Sequence, residues 1–544
     1  MIEVSNLRVP LQRLDGTEPG ELHTCRKIVA RKLGIRESDI QHIELRRRSI
    51  DARKRSAILV IFTVRVRVKG NEAAIAQGAR GGARIVPEAE PYELPTEAIH
   101  AKGPRPVVVG AGCAGLFCAL ALASAGLEPL LVERGEGAKE RTQSVDHFVK
   151  TGELNPESNI QFGLGGAGTF SDGKLSTGTR SPSHRLILQA LVDAGAQRRI
   201  LWDAKPHVGS DVLPNVVESI AQRIKQLGGE VWFNACMTGL QIESGHIRGV
   251  IVARDGVETR IDTSDVVLAC GHSARDVFAL LNQVGVALER KTFAMGVRIE
   301  HLQRSIDKAL YGRNAGHPAL GPASYKLVDH LPSDRSVYSF CMCPGGYVVA
   351  ATSEKSCVVT NGMSLSDRAG TNANSALLVN VQPSDYKPND VLAGLDLQIG
   401  SEKLAFLEGL ESGTPYAAPA QLVGDFLRDQ PSGGPGTVMP TYPRGVQWGN
   451  ALSRVLPSFI HESLRASLPR LDKKIAGFGA KDAVLTSVES RSSSPIRIVR
   501  TKEGESTSTR GLWPCGEGAG YAGGIMSAAA DGLRTAEALI ASRV

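Results

Sequence analysis

The sequence predicts an α/β protein: a Rossmann-type, doubly wound domain with an inserted mixed α+β domain and a small N-terminal α+β module. Three observations predict this. An apolar strand at 106–110 runs directly into an Ala/Leu-rich helix at 111–124 and a second apolar strand at 129–133, the spacing of a βαβ unit. A further apolar strand at 265–270 ends at Gly271. Close to the C-terminus, a strand-like 511–515 precedes an Ala-rich helix beyond Gly523. These place 97–290 and 481–544 in one domain, with 291–480 inserted as a substrate or cap domain.

Residues 1–96 form the first unit. Segments 2–11 and 57–68 have strand character, and 22–33 has helical periodicity with a short strand at 40–45 after it. That βαββ order suggests a ferredoxin-like module. Prolines at 87, 91, 95, 104 and 106 mark 86–106 as an extended linker. Within 97–290, a long helix is expected at 213–227 and strands at 230–233, 238–243 and 249–254. The pattern across 291–480 is less regular, with strands expected at 294–300 and 347–351 and a helix at 402–410. No repeat of solenoid period is present.

A chain of 544 residues exceeds one compact core and fits two to four domains of roughly 150 residues. Its 42% apolar and 22% charged residues describe an ordinary globular protein, and a net charge of +7 permits acidic partners without requiring them. The nine cysteines include no CxxC pair and no zinc-ligand spacing, so no metal site is expected, and reduced thiols in the cytoplasm fit better than a disulfide framework. The first residues lack a basic start followed by an apolar core, and no apolar run reaches the ~18–20 residues that span a bilayer, so no membrane partner is expected.

Gly110-Ala111-Gly112-Cys113-Ala114-Gly115 is a GxGxxG between strand and helix. The first glycine makes the tight turn, the second lets backbone approach a pyrophosphate, and the third lets helix pack on strand. The helix start adds unpaired N–H groups and a positive dipole end. Glu133, at the end of the next strand, is placed to accept from adenosine ribose hydroxyls. Motif and spacing indicate a dinucleotide, which leaves FAD or NAD(P). The stretch NIQFGLGGAGTFSDGK (159–174) contains a second GxGxxG spacing, but no adequate strand precedes it and TFSDGK starts a helix poorly. It therefore reads as a backbone-rich loop able to wrap a phosphate or a flavin ring.

Two further segments favour FAD. DVVLACGHS (265–273) resembles the strand-plus-ATG segment of two-motif flavoproteins, with Ala269-Cys270-Gly271 in that place. WPCGEGAGYAGGIMS (513–527) resembles the C-terminal segment of glutathione-reductase-like folds, where an acid binds the ribityl chain. Glu517 stands there, although Asp is commoner. The helix after Gly523-Gly524 would aim its N-terminus at the flavin pyrimidine edge. Expected cofactor contacts are thus Gly110, Gly112, Cys113, Ala114, Gly115, Glu133, Arg134 and Arg141 in the first unit, and Gly165, Gly166, Ala167, Gly168, Thr169, Phe170, Ser171, Asp172, Lys174 and Leu175 in the loop. Met237, Ala269, Cys270, Gly271, Gly516, Glu517, Gly523, Gly524, Ile525 and Met526 complete them.

Over nearly its whole length the chain resembles the uncharacterised bacterial FAD-dependent dehydrogenases, a branch of the glutathione-reductase-like flavoproteins. SIDARK (49–54), IQFGLGGAGTFSDGKL (160–175), GHSARD (271–276), CPGGYV (343–348), TNGMS (360–364), SSPIRI (493–498) and CGEGAGYAGGI (515–525) carry the resemblance. One departure is Leu164, where the family pattern FGEGGAG has Glu. The resemblance implies FAD and a redox reaction, and it supplies no substrate.

No second strand–GxGxxG–helix unit exists for NAD(P)H, so a nicotinamide would act only as an external electron donor. For chemistry, Arg298 and Glu300 share one strand face and could bind and protonate a small-molecule substrate, or form an exposed ion pair. His272 follows the ACG turn and could contact substrate or flavin, or cap the next helix. Arg491 and Arg497 flank SSSP and could hold a carboxylate. Lys174 is either a solvated loop lysine or a charge near the flavin. Cys341-Met342-Cys343 is expected to pack in a strand, and Cys515 to be a small buried residue. Arg46, Arg47, Arg48, Arg53, Lys54 and Arg55 place six cations in ten residues. They read as a solvated face or as a docking site for an anionic partner; with no stacking aromatics among them, nucleic acid is disfavoured. The expected activity is hydride transfer between an organic substrate and flavin N5. The alternatives are a flavin monooxygenase using NAD(P)H and O₂, and a flavin-dependent RNA-modifying or RNA-binding protein.

Overall fold

The structure of the protein is a computed structural model that describes residues 1–79, 81–87, 94, 103–178 and 181–543. Most of the linker expected at 86–106, with the 96/97 boundary, lies outside the described residues.

Alternation of apolar and polar residues along Leu59–Val68 makes that strand one-sided: Val60, Phe62, Val64 and Val66 are all fully buried. It pairs antiparallel with Ile40–Asp51 on one side and Ile2–Pro10 on the other, and Ile2–Pro10 pairs with Ala83–Ile85. The helix Glu18–Leu33 begins where Thr17 accepts the Gly20 N–H and ends at Gly34, with φ of 67°. With a second helix at Glu72–Gly78, the order is βαββαβ, the split arrangement of a ferredoxin-like module. The strand expected at 40–45 continues to Asp51, because a bulge between Leu45 and Arg47 lets the basic stretch keep pairing with Thr63 and Phe62.

Short apolar runs, buried in every strand but the edge strand Glu230–Trp232, form the sheet of the second domain. Its five-stranded parallel sheet has the order Leu512–Pro514, Val266–Leu268, Val107–Val109, Leu130–Val132, Glu230–Trp232. The strand contributed by the C-terminal segment lies beside that of 266–268. The helix Cys113–Ser124 is buried on nearly all sides because the C-terminal helix Ile525–Arg543 covers its outer face. Gly532 allows this approach: a Cβ there would stand 2.1 Å from the Ala114 carbonyl oxygen. A three-stranded antiparallel meander, Ala235–Glu243, His246–Arg254 and Val257–Asp262, adjoins this sheet.

The inserted domain is built on a seven-stranded sheet in the order Val328–His330, Ser336–Cys343, Asn372–Val381, Phe293–Leu302, Val484–Glu489, Ala418–Leu422, Val446–Trp448. Only the last pair is parallel. Val484–Glu489 belongs to this sheet although the sequence division at 480/481 puts it beyond the insertion. The helix expected at 402–410 spans Ala393–Leu410. Gly394 and Gly400 conceal its first half in the sequence, and Gly394 is needed where a Cβ would press on Pro495 at 2.8 Å. A ribbon of Gly346–Ala350 and Thr360–Ser364 lies against the large sheet. Among the described residues no helix is long and apolar enough to cross a membrane, and all nine cysteines are free.

Candidate functional site

A cleft runs from the start of the Cys113–Ser124 helix to the underside of the inserted sheet, lined from both domains. At its first end Gly110 adopts a φ of 100°, and a Cβ there would stand 2.5 Å from the Ala269 carbonyl oxygen. At Gly115 the same atom would stand 1.8 Å from the Gly110 oxygen, so this glycine sets the helix directly on the turn. The helix N-terminus at Gly112 carries no side-chain cap and opens onto the cleft, which suits a diphosphate. The 159–174 segment is a loop with one 3₁₀ turn over Gly166–Phe170, and Gly165 bridges in parallel to Gly112.

Glu133 is 5% exposed, and its role is more structural than the sequence implies. Oε1 accepts the Gly135 and Gly163 N–H groups (3.0 and 2.9 Å), and Oε2 accepts that of Ala111 (2.7 Å). It ties three loops together, and Oε2, with a single protein donor, keeps an acceptor position for a ribose hydroxyl. Arg141 also differs from expectation. It does not line the cleft. Its fully buried guanidinium donates to the carbonyls of Asn159, Ile160, Gly163 and Leu164 at 2.7–3.3 Å and so shapes the loop from behind. Burial lowers it to about 10. Leu164 is fully buried in the domain core, so its departure from the family Glu takes no group out of the cleft.

Of the other expected contacts, Gly112, Cys113, Ala114, Arg134, Gly165, Gly166, Ala167, Gly168, Ser171, Lys174, Met237, Ala269, Cys270, Gly271, Glu517, Gly523, Gly524 and Ile525 line the cleft. Gly115, Thr169, Phe170, Asp172, Leu175, Gly516 and Met526 lie behind it and support it. Thr169 donates to the Leu164 carbonyl, Phe170 stacks on Arg141, and fully buried Asp172 pairs with Arg368. The Gly516 N–H donates to Asp531, which also pairs with Arg500. These residues fit FAD: an open helix N-terminus for the pyrophosphate, a buried acid near the ribose, and a second helix start at Ile525 at the far end.

The far end is roofed by residues that are not among the expected contacts: Gln161, Phe340, Cys341, Asn361, Glu489 and Ser492. Burial pushes Glu489 up to about 7 against the opposing pull of Arg298, and it pushes Glu517 to about 7 as well. His272 lines the cleft, donates from Nε2 to the Arg491 carbonyl (2.9 Å), and lies 3.8 Å by Nδ1 from Glu517. Burial, with Arg491 nearby, lowers it to about 4, so its imidazole is neutral at pH 7.

The Arg298–Glu300 pair expected from strand alternation does not form. Both side chains are fully buried, with Arg298 on Glu489 (2.9 Å), Asn374 and the Cys341 carbonyl, and Glu300 accepting from Thr441 and Asn372. Arg298 thus stands behind the cleft wall and positions Glu489. Arg491 lines the cleft, yet its guanidinium is held by Glu402, Glu354 and Ser353. Arg497 lies outside the cleft, paired with Glu289 at 2.5 Å. The buried group Arg275, Glu402 and Arg491 joins GHSARD to the inserted domain. Glu354, Cys357 and Glu402 lie close enough to hold a metal, but Glu402 is already committed to two guanidiniums. The basic run is partly neutralised: Arg48 pairs with Glu21, Arg53 with Asp51 and Arg46 with Glu44.

Three family models match the chain: an FAD binding domain over 105–145, a C-terminal domain of FAD-dependent proteins over 292–492, and a domain of unknown function over 1–67. A solved flavin-dependent brominase overlaps 81% of this chain and 79% of its own at 11% identity and a TM-score of 0.36. A glycerol-3-phosphate dehydrogenase from Bacillus halodurans, complexed with FAD, overlaps 81% and 65% at 10% identity and 0.35. These overlaps are too loose to bear on the reaction. An uncharacterised protein of Clostridium beijerinckii is 42% identical over 542 residues, 99% of this chain and 98% of the relative. By that relative and by the models matching its cofactor and inserted domains, the chain belongs to a family of FAD-dependent flavoproteins.

Proposed function

We propose that the protein is an FAD-dependent dehydrogenase or reductase acting on a small anionic organic substrate bound beneath the seven-stranded sheet. The observation that carries this reading is the far end of the cleft. Two carboxyls held near neutrality, Glu489 and Glu517, face one space with the ammonium of Lys174. Bound FAD would supply the acceptor or donor of a hydride at N5. The chain's own groups supply the rest. Lys174 Nζ is buried, has no hydrogen-bond partner among the described residues, and lies 3.9 Å from Asp172, so it can pair with a substrate carboxylate. Glu489 Oε2 is likewise unpartnered and, ionising near pH 7, can take or return the proton that accompanies hydride transfer. Neutral His272 offers Nδ1 as an acceptor. A cytoplasmic setting, an external nicotinamide donor and an anionic partner at 46–55 belong to the same reading.

Anaerobic reduction of the purified holoprotein tests it, with NADH, NADPH and a panel of amino, hydroxy and keto acids as donors or oxidants. Bleaching of the flavin by an organic acid, weakened at least tenfold in KM by Lys174→Ala, supports the reading. Bleaching only by NAD(P)H, with oxygen consumption coupled to a hydroxylated product, would replace it with a monooxygenase.

A further inference from the structure

Four cysteines line the cofactor cleft, and they are not alike. Burial pushes Cys113 and Cys270 up to about 12 and Cys236 to about 11, so these thiols are inert packing groups. Cys341 differs in backbone, neighbours and charge. It has a φ of 42°, a left-handed conformation that side-chain-bearing residues seldom adopt within a strand. It lies in a bulge, where the register of Ser336–Cys343 against Asn372–Val381 slips between Phe340 and Cys343. Two residues apart in a regular strand stand roughly 6.7 Å apart, at the upper edge of the Cα separation of about 4.4–6.8 Å that a disulfide spans. A bulge with a left-handed residue shortens that step. The Cys343 thiol lies 3.2 Å from the Cys341 carbonyl and 3.4 Å from the Arg298 guanidinium.

We propose that Cys341 and Cys343 form a reversible dithiol–disulfide pair that exchanges two electrons with the FAD held in the same cleft. The proposal rests on the reading that the flavin occupies the far end of that cleft. Two independent features of the wall support it: the Lys174 ammonium, which makes no hydrogen bond among the described residues and only a 3.9 Å ion pair with Asp172, and the unpartnered Oε2 of Glu489, which is 3% exposed, both face the space that Cys341 lines. The Cys343 thiol, with Lys174 and Arg298, brings Cys341 down to about 5 despite burial, so the pair rests as one thiolate and one thiol. In oxidation the Cys341 thiolate and Cys343 thiol form one S–S bond, and two electrons and the Cys343 proton pass to oxidised flavin, giving its anionic reduced form. In the reverse direction reduced flavin breaks the S–S bond and returns thiolate and thiol. Atoms and charge balance in both directions with flavin as the only partner.

The test uses the full-length holoprotein. Samples oxidised with excess ferricyanide or reduced with dithionite are denatured, alkylated and digested, and the peptide carrying both residues is weighed. The expected result is an internal disulfide after oxidation and double alkylation after reduction. Anaerobic titration of wild type is expected to consume twice the reducing equivalents of its flavin. Cys341→Ser should consume those of the flavin alone and lose any thiolate-to-flavin charge-transfer band, and Cys357→Ser should match wild type in both readouts. Double alkylation of the oxidised, FAD-loaded protein, with equal titrations for wild type and Cys341→Ser, would overturn the pair and leave the flavin reading standing. Wild type that takes up no FAD would instead overturn the flavin reading, and this exchange with it.

Discussion

Glu402→Gln removes the fully buried anion that joins two buried guanidiniums between the cofactor and inserted domains, and leaves them the more exposed Glu354. Glu402 is fully buried and accepts from Arg275 at 2.7 and 2.9 Å, from Arg491 at 2.9 and 3.1 Å, and from the Ser490 hydroxyl at 2.5 Å. Burial alone would raise its pKa, but Arg491 and then Arg275 outweigh it and hold it at about 2 instead of 4.5. At about 1.4 kcal/mol per tenfold change in proton affinity, that difference corresponds to about 3 kcal/mol of stability. Because the folded-state value is the lower one, this stability is fully present above pH 4.5 and is lost as the pH falls through about 2. Removing one partner of a buried pair costs about 3–5 kcal/mol, which agrees. The glutamine also turns an N–H₂ toward donors that need acceptors. At pH 7, urea unfolding followed by intrinsic fluorescence should show Glu402→Gln less stable by about 3 kcal/mol. Glu408→Gln, which breaks the more exposed pair with Arg454, should cost under about 1 kcal/mol. Equal midpoints for wild type and Glu402→Gln would refute the reasoning.

Gly110→Ala puts a Cβ 2.5 Å from the Ala269 oxygen at a φ of 100°; the purified variant should carry less than about a tenth of wild-type flavin, and full flavin content would contradict the assigned turn. Arg141→Met removes the guanidinium that four loop carbonyls share, leaving those of Gly163 and Leu164 one other donor each, and should weaken FAD binding about 100-fold or more by flavin fluorescence titration, with no rescue by Arg141→Lys, whose single ammonium cannot reach all four. Glu489 and Glu517 bind their protons more tightly when folded, so their stabilising effect is complete below pH 4.5 and is lost as the pH rises through about 7. The rate of flavin reduction by substrate should accordingly change between about pH 6 and 8, and Glu489→Gln should remove that step from the profile.

The parts of the molecule legible in the sequence are those fixed by local chain geometry. The GxGxxG turn, its helix and the acid at Glu133 follow from glycine conformation and strand–helix periodicity within 24 residues. The N-terminal βαββ shows through its alternation, whereas its last strand, Ala83–Ile85, is three residues with little burial and gives no signal. The inserted sheet was barely readable because its neighbours are distant in sequence: Arg298 meets Glu489 across 191 residues. Strand alternation placed Arg298 and Glu300 on one face, yet periodicity carries no information on which loops arrive opposite each. The same limit hid Glu489, Asn361 and Cys341, which reach the cleft through long-range pairing and a bulge. Glu133 and Arg141 show a related difficulty: a charge in the right place can serve the loop that makes a site as much as the ligand within it.

Flavin content is the decisive measurement: denature the purified protein and identify the released chromophore by chromatography and mass. The account predicts FAD at about one per chain, bound without a covalent link and depleted in Gly110→Ala. A colourless protein that added FAD cannot reconstitute, or a different nucleotide released in its place, would contradict it.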